Sequence, residues 1–279
     1  MEIRLTRALA IFLLLAGWAA SLEATKIYVR EDAHGVHYSD RPSPAATPLR
    51  VRTGTEYSFV RAVYDGDTLL LDNRAKVRLL GINTPEIESR HQAGEPIGEE
   101  ARVWLKKALE GKKVHLEKDV EATDHYHRIL AHVFTEDRRH INLELVRRGL
   151  ASVNIHPPNL KYTQMLLAAQ RIAEAERRGI WGNPAYRPKP IKALVGSKSR
   201  GWQRLLGCPK SLQPSRKYFR LIYSGKVEVK IPRENLDLFP NLTTYLGRDT
   251  EIRGWPSRRK EHYSILVLHP SALQLIGKE

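Results

Sequence analysis

One cysteine, Cys208, stands in 279 residues. An internal disulfide is therefore excluded, even in a compartment that would permit one, and packing must supply the stability. Acidic residues are in deficit, with 31 Asp and Glu against 46 Lys and Arg and a formal net charge of +15. Long apolar runs are also scarce. The only one, residues 9–16, is too short to span a bilayer, and nothing later resembles a membrane span, so no stable membrane insertion is expected.

That apolar run reads as part of a targeting segment. Arg4 and Arg7 precede it, small residues follow, and cleavage after Ala24 is expected. Residues 1–24 are thus predicted to be a signal peptide that sends the rest to the periplasm or the exterior. The positive excess is uneven. From residue 185 onward there are 19 Lys and Arg against 7 Asp and Glu, whereas residues 25–184 carry 25 against 22. A tail so basic suits polyanions, which it holds by releasing counterions from a phosphate backbone. Solubility, or attachment to an anionic envelope surface, is the plainer alternative.

The chemistry concentrates in Tyr64-Asp65-Gly66-Asp67-Thr68 and Arg78-Leu79-Leu80-Gly81-Ile82-Asn83-Thr84-Pro85-Glu86. Hard oxygen donors of this kind suit a divalent cation such as calcium. Arginine holds phosphate oxygens in a fork, and a nearby carboxylate can accept the proton of an attacking water. A second arginine, Arg128, follows in Thr123-Asp124-His125-Tyr126-His127-Arg128. A phosphodiester is already anionic, so a hydroxide reaches it only where positive charge is preorganised. Together these residues indicate a phosphodiesterase. Taken singly each has a plainer role: Asp-Gly-Asp is an ordinary turn, Arg78 a strand surface residue, Glu86 surface charge, and Arg128 a partner for Glu121.

The elements expected are these. Residues 27–29 and 36–38 flank a Gly35 turn as a small hairpin, and Pro42, Pro44 and Pro48 make a linker. Strands are predicted at 58–64, 68–71, 75–82, 113–117 and 129–135. Helices are predicted at 99–109, 142–148 and 163–178, the last two stopped by Gly149 and Gly179. The fold class is α+β: a five-stranded Greek-key barrel of OB type with three helices. A second, smaller OB-like β domain is expected at 200–276, with strands at 218–223, 227–232, 250–255 and 263–267.

The motifs resemble those of the staphylococcal nuclease, or thermonuclease, family. The likeness runs from about Phe59 to Trp181. It includes Val63 to Thr68, Val77 to Glu86, Gly98-Glu99-Glu100-Ala101, Asp124-x-Tyr126-x-Arg128, residues 142–151 and Arg178-Gly179-Ile180-Trp181-Gly182. Residues 25–48 resemble a short module found behind bacterial signal peptides, and 57–184 form the nuclease-like domain. The resemblance implies calcium-dependent hydrolysis of single-stranded DNA and RNA to 3′-phosphate ends. Asp67, Asn83 and the Thr84 carbonyl would be metal ligands, with Asp65 behind them. Glu86 would be general base, Arg78 and Arg128 would bind phosphate, and His156 and Tyr126 are candidate nucleotide contacts.

Three departures from the family pattern stand out. Asn83 replaces an aspartate, which removes a negative charge and weakens cation binding. His127 replaces a small residue before Arg128, a strain if that backbone has positive φ. His156 stands where tyrosines are usual. His125, His127, His132 and His140 match no familiar zinc spacing. In the tail, Tyr218, Phe219, Arg220, Tyr223, Arg253 and Trp255 could present a single-strand-binding face, half of them necessarily turned inward by strand alternation. The competing reading is a non-catalytic nucleic-acid binder on a decayed nuclease fold. A monomer is expected.

Overall fold

The computed structural model describes residues 26–277 apart from 33–34, 45, 50–56, 90–92 and 198–200. The predicted export segment lies outside the described residues. Strands β1 (Ile27–Asp32), β2 (Gly35–Ser39) and β3 (Thr47–Leu49) make a small antiparallel sheet. The nuclease-like region follows with β4 (Tyr57–Val63), β5 (Thr68–Leu71), β6 (Lys76–Leu79), β7 (Ile82–Asn83), α1 (Gly98–Leu109), β8 (Lys113–Glu117) and β9 (Ile129–Thr135). Then come α2 (Ile141–Arg147), β10 (Ser152–Val153) and α3 (Thr163–Ala175).

Strands β4, β5, β6, β9 and β8 close into a barrel in that order. All neighbours are antiparallel except β6 and β9. This is the expected five-stranded barrel with three helices. The alternation of apolar residues explains it: Val60, Leu69, Leu71, Val77, Leu79, Val114, Ala131 and Val133 fill the interior and are almost wholly buried. The predicted strand 75–82 is interrupted at Gly81, whose φ of +73° turns the chain so that Ile82 and Asn83 pair with β10 instead. Helix α3 ends at Ala175, earlier than expected, and Arg177 adopts φ +54° before Gly179. There the turns of α2 and α3 press together: a Cβ on Gly149 would meet the Arg178 carbonyl oxygen at 2.2 Å, and one on Gly179 would meet the Gly149 oxygen at 2.2 Å.

The second β region comprises β11 (Lys189–Pro190), β12 (Gln203–Gly207), β13 (Ser211–Pro214), β14 (Tyr218–Ser224), β15 (Val227–Pro232), β16 (Thr250–Gly254), β17 (Pro256–Arg259), β18 (His262–Leu266) and β19 (Leu273–Leu275). They form two sheets, β13-β14-β15-β18-β17 and β11-β12-β16-β19. The strands at β12, β13, β17 and β19 lack a clean two-residue alternation and escape sequence reading. One continuous apolar core runs from the barrel into these sheets. The N-terminal sheet leans on the second region, where Arg30 Nη2 lies 2.6 Å from Asp237 Oδ2. No helix among the described residues is long and apolar enough to cross a membrane.

Strand alternation is expected to turn half of the six candidate side chains of the second region inward, and the structure shows two that are. Arg253 and Tyr223 are buried, at 6 % and 4 % exposure, so neither belongs to an open face for nucleic acid. Arg253 is consumed by Glu174 and Glu251, and the Tyr223 hydroxyl lies 2.8 Å from Thr250 Oγ1. Strand alternation gives two sides without saying which is inward.

Candidate active site

The barrel register assembles the site. Asp67 immediately precedes β5, and Thr68 stands opposite Arg78 across the β5–β6 hairpin. The side chain of Arg78 therefore meets that of Asp67, with Nη1 2.6 Å from Oδ2. The same Oδ2 accepts the Thr84 amide at 3.0 Å, and Oδ1 accepts the Thr68 hydroxyl at 3.2 Å. Arg78 Nη2 also donates to the Ile82 carbonyl at 3.1 Å and to Asn83 Oδ1 at 3.0 Å. Asn83 passes the link on, its amide donating to the Thr84 carbonyl at 2.8 Å. The guanidinium plane is thus fixed by these three partners.

Asp65 accepts the Asp67 amide at 2.9 Å, an Asx turn that carries the chain into β5. Gly66 between them is obligatory: a Cβ there would lie 2.6 Å from Thr84 Oγ1. Burial, with the Asp67 carboxylate close by, pushes the Asp65 pKa up to about 6. Glu86 is exposed, beside the cleft rather than among its lining. Partial burial and the Asp67 and Glu95 carboxylates raise its pKa, while Arg78 opposes the rise. Its loop is tethered by Glu95, whose amide donates to the Glu86 carbonyl at 2.7 Å and whose carboxylate accepts the Glu86 amide at 3.1 Å.

The second arginine arrives from the neighbouring strand. Leu130 pairs with Arg78 in the parallel β6–β9 ladder, so Arg128 sits just before β9 on the same side of the barrel mouth. It pairs with Asp124, Nε to Oδ2 at 2.7 Å, and not with Glu121. Asp124 also accepts the Arg128 and Tyr126 amides, at 2.9 and 3.0 Å, and so shapes the whole turn. Among the described residues this bond uses Nε alone, leaving the two terminal nitrogens for a phosphate. His127 does adopt positive φ, +61°, so the strained backbone anticipated there is present.

Arg78, Asn83, Arg128 and His156 line one cleft of about 610 Å³, with Asp124 and Asn154. The β7–β10 pair delivers Asn154 and His156, since the Asn154 amide donates to the Gly81 carbonyl at 2.9 Å. Burial in the cleft and the charge of Arg78 lower the His156 pKa. Tyr126 is 68 % exposed and stands outside the cleft, its ring 5.5 Å from the Arg128 guanidinium. Sequence reading placed Asp124 in the Asp124-x-Tyr126-x-Arg128 motif without giving it the anchoring role seen here, and it passed over Glu95, which belongs to no motif.

The donors fit a hard divalent cation. Two carboxylates, Asp65 and Asp67, crowd together and raise a pKa, and Thr84, whose amide donates to Asp67, has its carbonyl oxygen beside Asn83. Among the described residues no group of three or more His, Cys, Asp or Glu side chains is placed to hold a metal ion. A cation here would therefore take several ligands from carbonyls and water, as calcium does. His132 and His140 do meet, Nε2 of His140 lying 3.2 Å from Nδ1 of His132, but both are buried beside Tyr162 and burial drives the His140 pKa to about 3.

The match to known proteins takes in the site residues from Arg78 to His156. The model for staphylococcal nuclease homologues matches residues 76–183. The thermonuclease of Staphylococcus intermedius is 37 % identical over 129 residues, 45 % of this chain and 76 % of that protein. The chain belongs to the staphylococcal nuclease family. Other members include the thermonuclease of Staphylococcus hyicus, 35 % identical over 46 % of this chain and 76 % of its own. Endonuclease YncB of Bacillus subtilis is 30 % identical over 165 residues, 57 % of this chain and 77 % of its own. The family-model match runs from residue 76 to residue 183 and takes in β6 to β10 with the three helices, while β4, β5 and the second β region lie outside it.

Proposed function

We propose that this protein is an exported nuclease that hydrolyses phosphodiester bonds of single-stranded DNA and RNA, acting as a monomer with calcium and leaving 3′-phosphate ends. The reading rests on one observation, that Arg78 and Arg128 line a single cleft whose edge carries Asp67 and Glu86. The names of the relatives, thermonuclease and endonuclease, support the reaction class. Family resemblance supports the calcium, the strand preference and the product.

In this reading a scissile phosphate lies between the two guanidiniums. Arg128 binds it through its terminal nitrogens while Asp124 holds Nε. Arg78 neutralises the charge that builds on the phosphorus oxygens, its plane fixed by Asp67, Asn83 and the Ile82 carbonyl. Glu86 orients the attacking water and takes its proton. Its raised pKa brings it closer to neutrality than an ordinary glutamate, where a base is effective. Asp65, Asp67 and the Asn83 and Thr84 carbonyls would hold the cation, which supplies positive charge against the phosphate. His156 adjoins the phosphate position and donates to a terminal phosphate or stacks on a base.

The test is digestion of labelled single-stranded DNA and RNA by the full chain with calcium, with magnesium and with chelator. Cleavage with calcium, lost on chelation, is the expected result, and Glu86→Gln lowers kcat on the order of 10²–10⁴-fold. The acid limb of the rate profile should lie above the ordinary glutamate range. Cleavage that survives chelation, or is indifferent to the substitution, contradicts the mechanism. Binding without any cleavage points instead to the non-catalytic reading.

A further inference from the structure

One wall of the cleft does not come from the barrel. Trp255 follows β16 in the second β region, yet it lines the same cleft as Arg78, Arg128 and His156. Its side chain is 40 % exposed, one of few large apolar groups left open to water among the described residues. An open indole in one cleft with two guanidiniums offers a flat apolar surface in the same cavity as phosphate-binding groups, the combination that single-stranded nucleic acid recognises.

The position of Trp255 is set by rigid packing. Arg253, two residues earlier, sends Nη1 and Nη2 to the Glu174 carboxylate of α3 at 2.6 and 3.1 Å, and Nε to Glu251 at 2.7 Å. Its guanidinium also lies 5.1 Å from the Trp181 ring centre. Between them Gly254 lies against β18, where a Cβ would come within 3.0 Å of Ile265 Cγ2. Three consecutive residues thus have three fixed roles: the first joins the two regions, the second allows close approach, and the third faces the cleft.

We propose that Trp255 is a base-stacking wall of the nuclease cleft, so that the second β region completes the substrate site. With a phosphate on Arg128, the adjoining nucleobase lies face-on against the indole. A base inside a duplex has both faces covered by its neighbours, so only an unpaired strand can make this contact. Stacking is also tolerant of base identity. Trp255 therefore selects strand state and not sequence. The inference deepens the nuclease reading above and rests on that reading of the cleft.

The experiment uses the full chain carrying Glu86→Gln, with calcium, and a fluorescein-labelled twelve-nucleotide oligothymidylate followed by anisotropy. Trp255→Ala should raise the dissociation constant on the order of tenfold, and Trp255→Phe should restore it to within about twofold, since alanine removes the stacking face and phenylalanine keeps one. A twelve-base-pair duplex should lose no more than about twofold with either variant, having no open base to stack. Unchanged oligothymidylate affinity in Trp255→Ala overturns the proposal, as does an equal loss for strand and duplex. Arg128→Lys, run in parallel, separates the two readings. Weakened binding in Arg128→Lys with none in Trp255→Ala rejects the stacking wall alone. Loss of wild-type cleavage together with an inert Arg128→Lys rejects the nuclease reading.

Discussion

Asp65 is a site residue whose environment conflicts with its charge. It has an ordinary pKa of 3.8 when unfolded and about 6 in place, because of burial and then Asp67. An acid whose folded pKa is raised costs stability wherever it is ionised in the native state. The cost is absent below the unfolded value of 3.8, grows through the interval up to about 6, and is complete above it. Asp65→Asn keeps an acceptor for the Asp67 amide and removes the charge. It should raise stability by about 1–2 kcal/mol at pH 8, after allowance for screening, with no gain below about pH 4. Urea unfolding at the two pH values checks this. Added calcium should stabilise the wild type more than the variant, and more at pH 8. At this scale the sequence was informative where a residue belongs to a motif: Asp67, Arg78, Asn83 and Thr84 are all joined by hydrogen bonds in the structure. It was silent on Glu95 and gave Asp124 a place in a motif but no role, since the service of both is to hold a neighbour.

Elements place the groups that residues supply. The β5–β6 register sets Arg78 against Asp67, and the parallel β6–β9 pair sets Arg128 beside them. Strands β5, β8 and β9 were legible to the residue, because each is a short run bounded by turn-forming or charged residues at both ends. Helix ends were less so: α3 stops at Ala175 because Arg177 turns left-handed to bring Gly179 against Gly149, a tertiary demand absent from local pattern. The Asp65-Gly66-Asp67 turn is the most exacting short element. A methyl group at Gly66 would press Thr84, whose amide holds Asp67. Gly66→Ala should cost about 1–3 kcal/mol of stability by overpacking. It should also lower kcat with little change in oligonucleotide affinity. Thermal unfolding and steady-state kinetics read the two effects separately, and a fully active Gly66→Ala would show that Thr84 does not hold the site.

The whole molecule is a barrel and a pair of sheets joined through one core and one buried ion cluster. Arg253 bridges Glu174 and Glu251, with Arg204 completing the group at 2.7 Å from Glu251. Removing one partner of a buried pair leaves the rest uncompensated, so Arg253→Met should destabilise by about 3 kcal/mol. Chemical denaturation would register it as a fall in midpoint, and an unchanged midpoint would mean that the cluster carries no net weight. Residues from 185 onward hold most of the positive excess, 19 bases against 7 acids. Binding of single-stranded DNA by the Glu86→Gln protein should therefore weaken steeply with salt, with a log–log slope of about −0.7 per phosphate engaged. A flat salt titration would assign the basic surface to some other use. Composition alone supported the polyanion reading, but it could not say that Arg253, one of those bases, is spent inside the protein.

That buried cluster responds to ions in solution quite differently from the basic exterior. Screening acts on charges that face water and scarcely touches a guanidinium sealed between two carboxylates. Brine strong enough to strip a polyanion from the outside would leave the joint closed, so product can be shed while the machine stays in one piece.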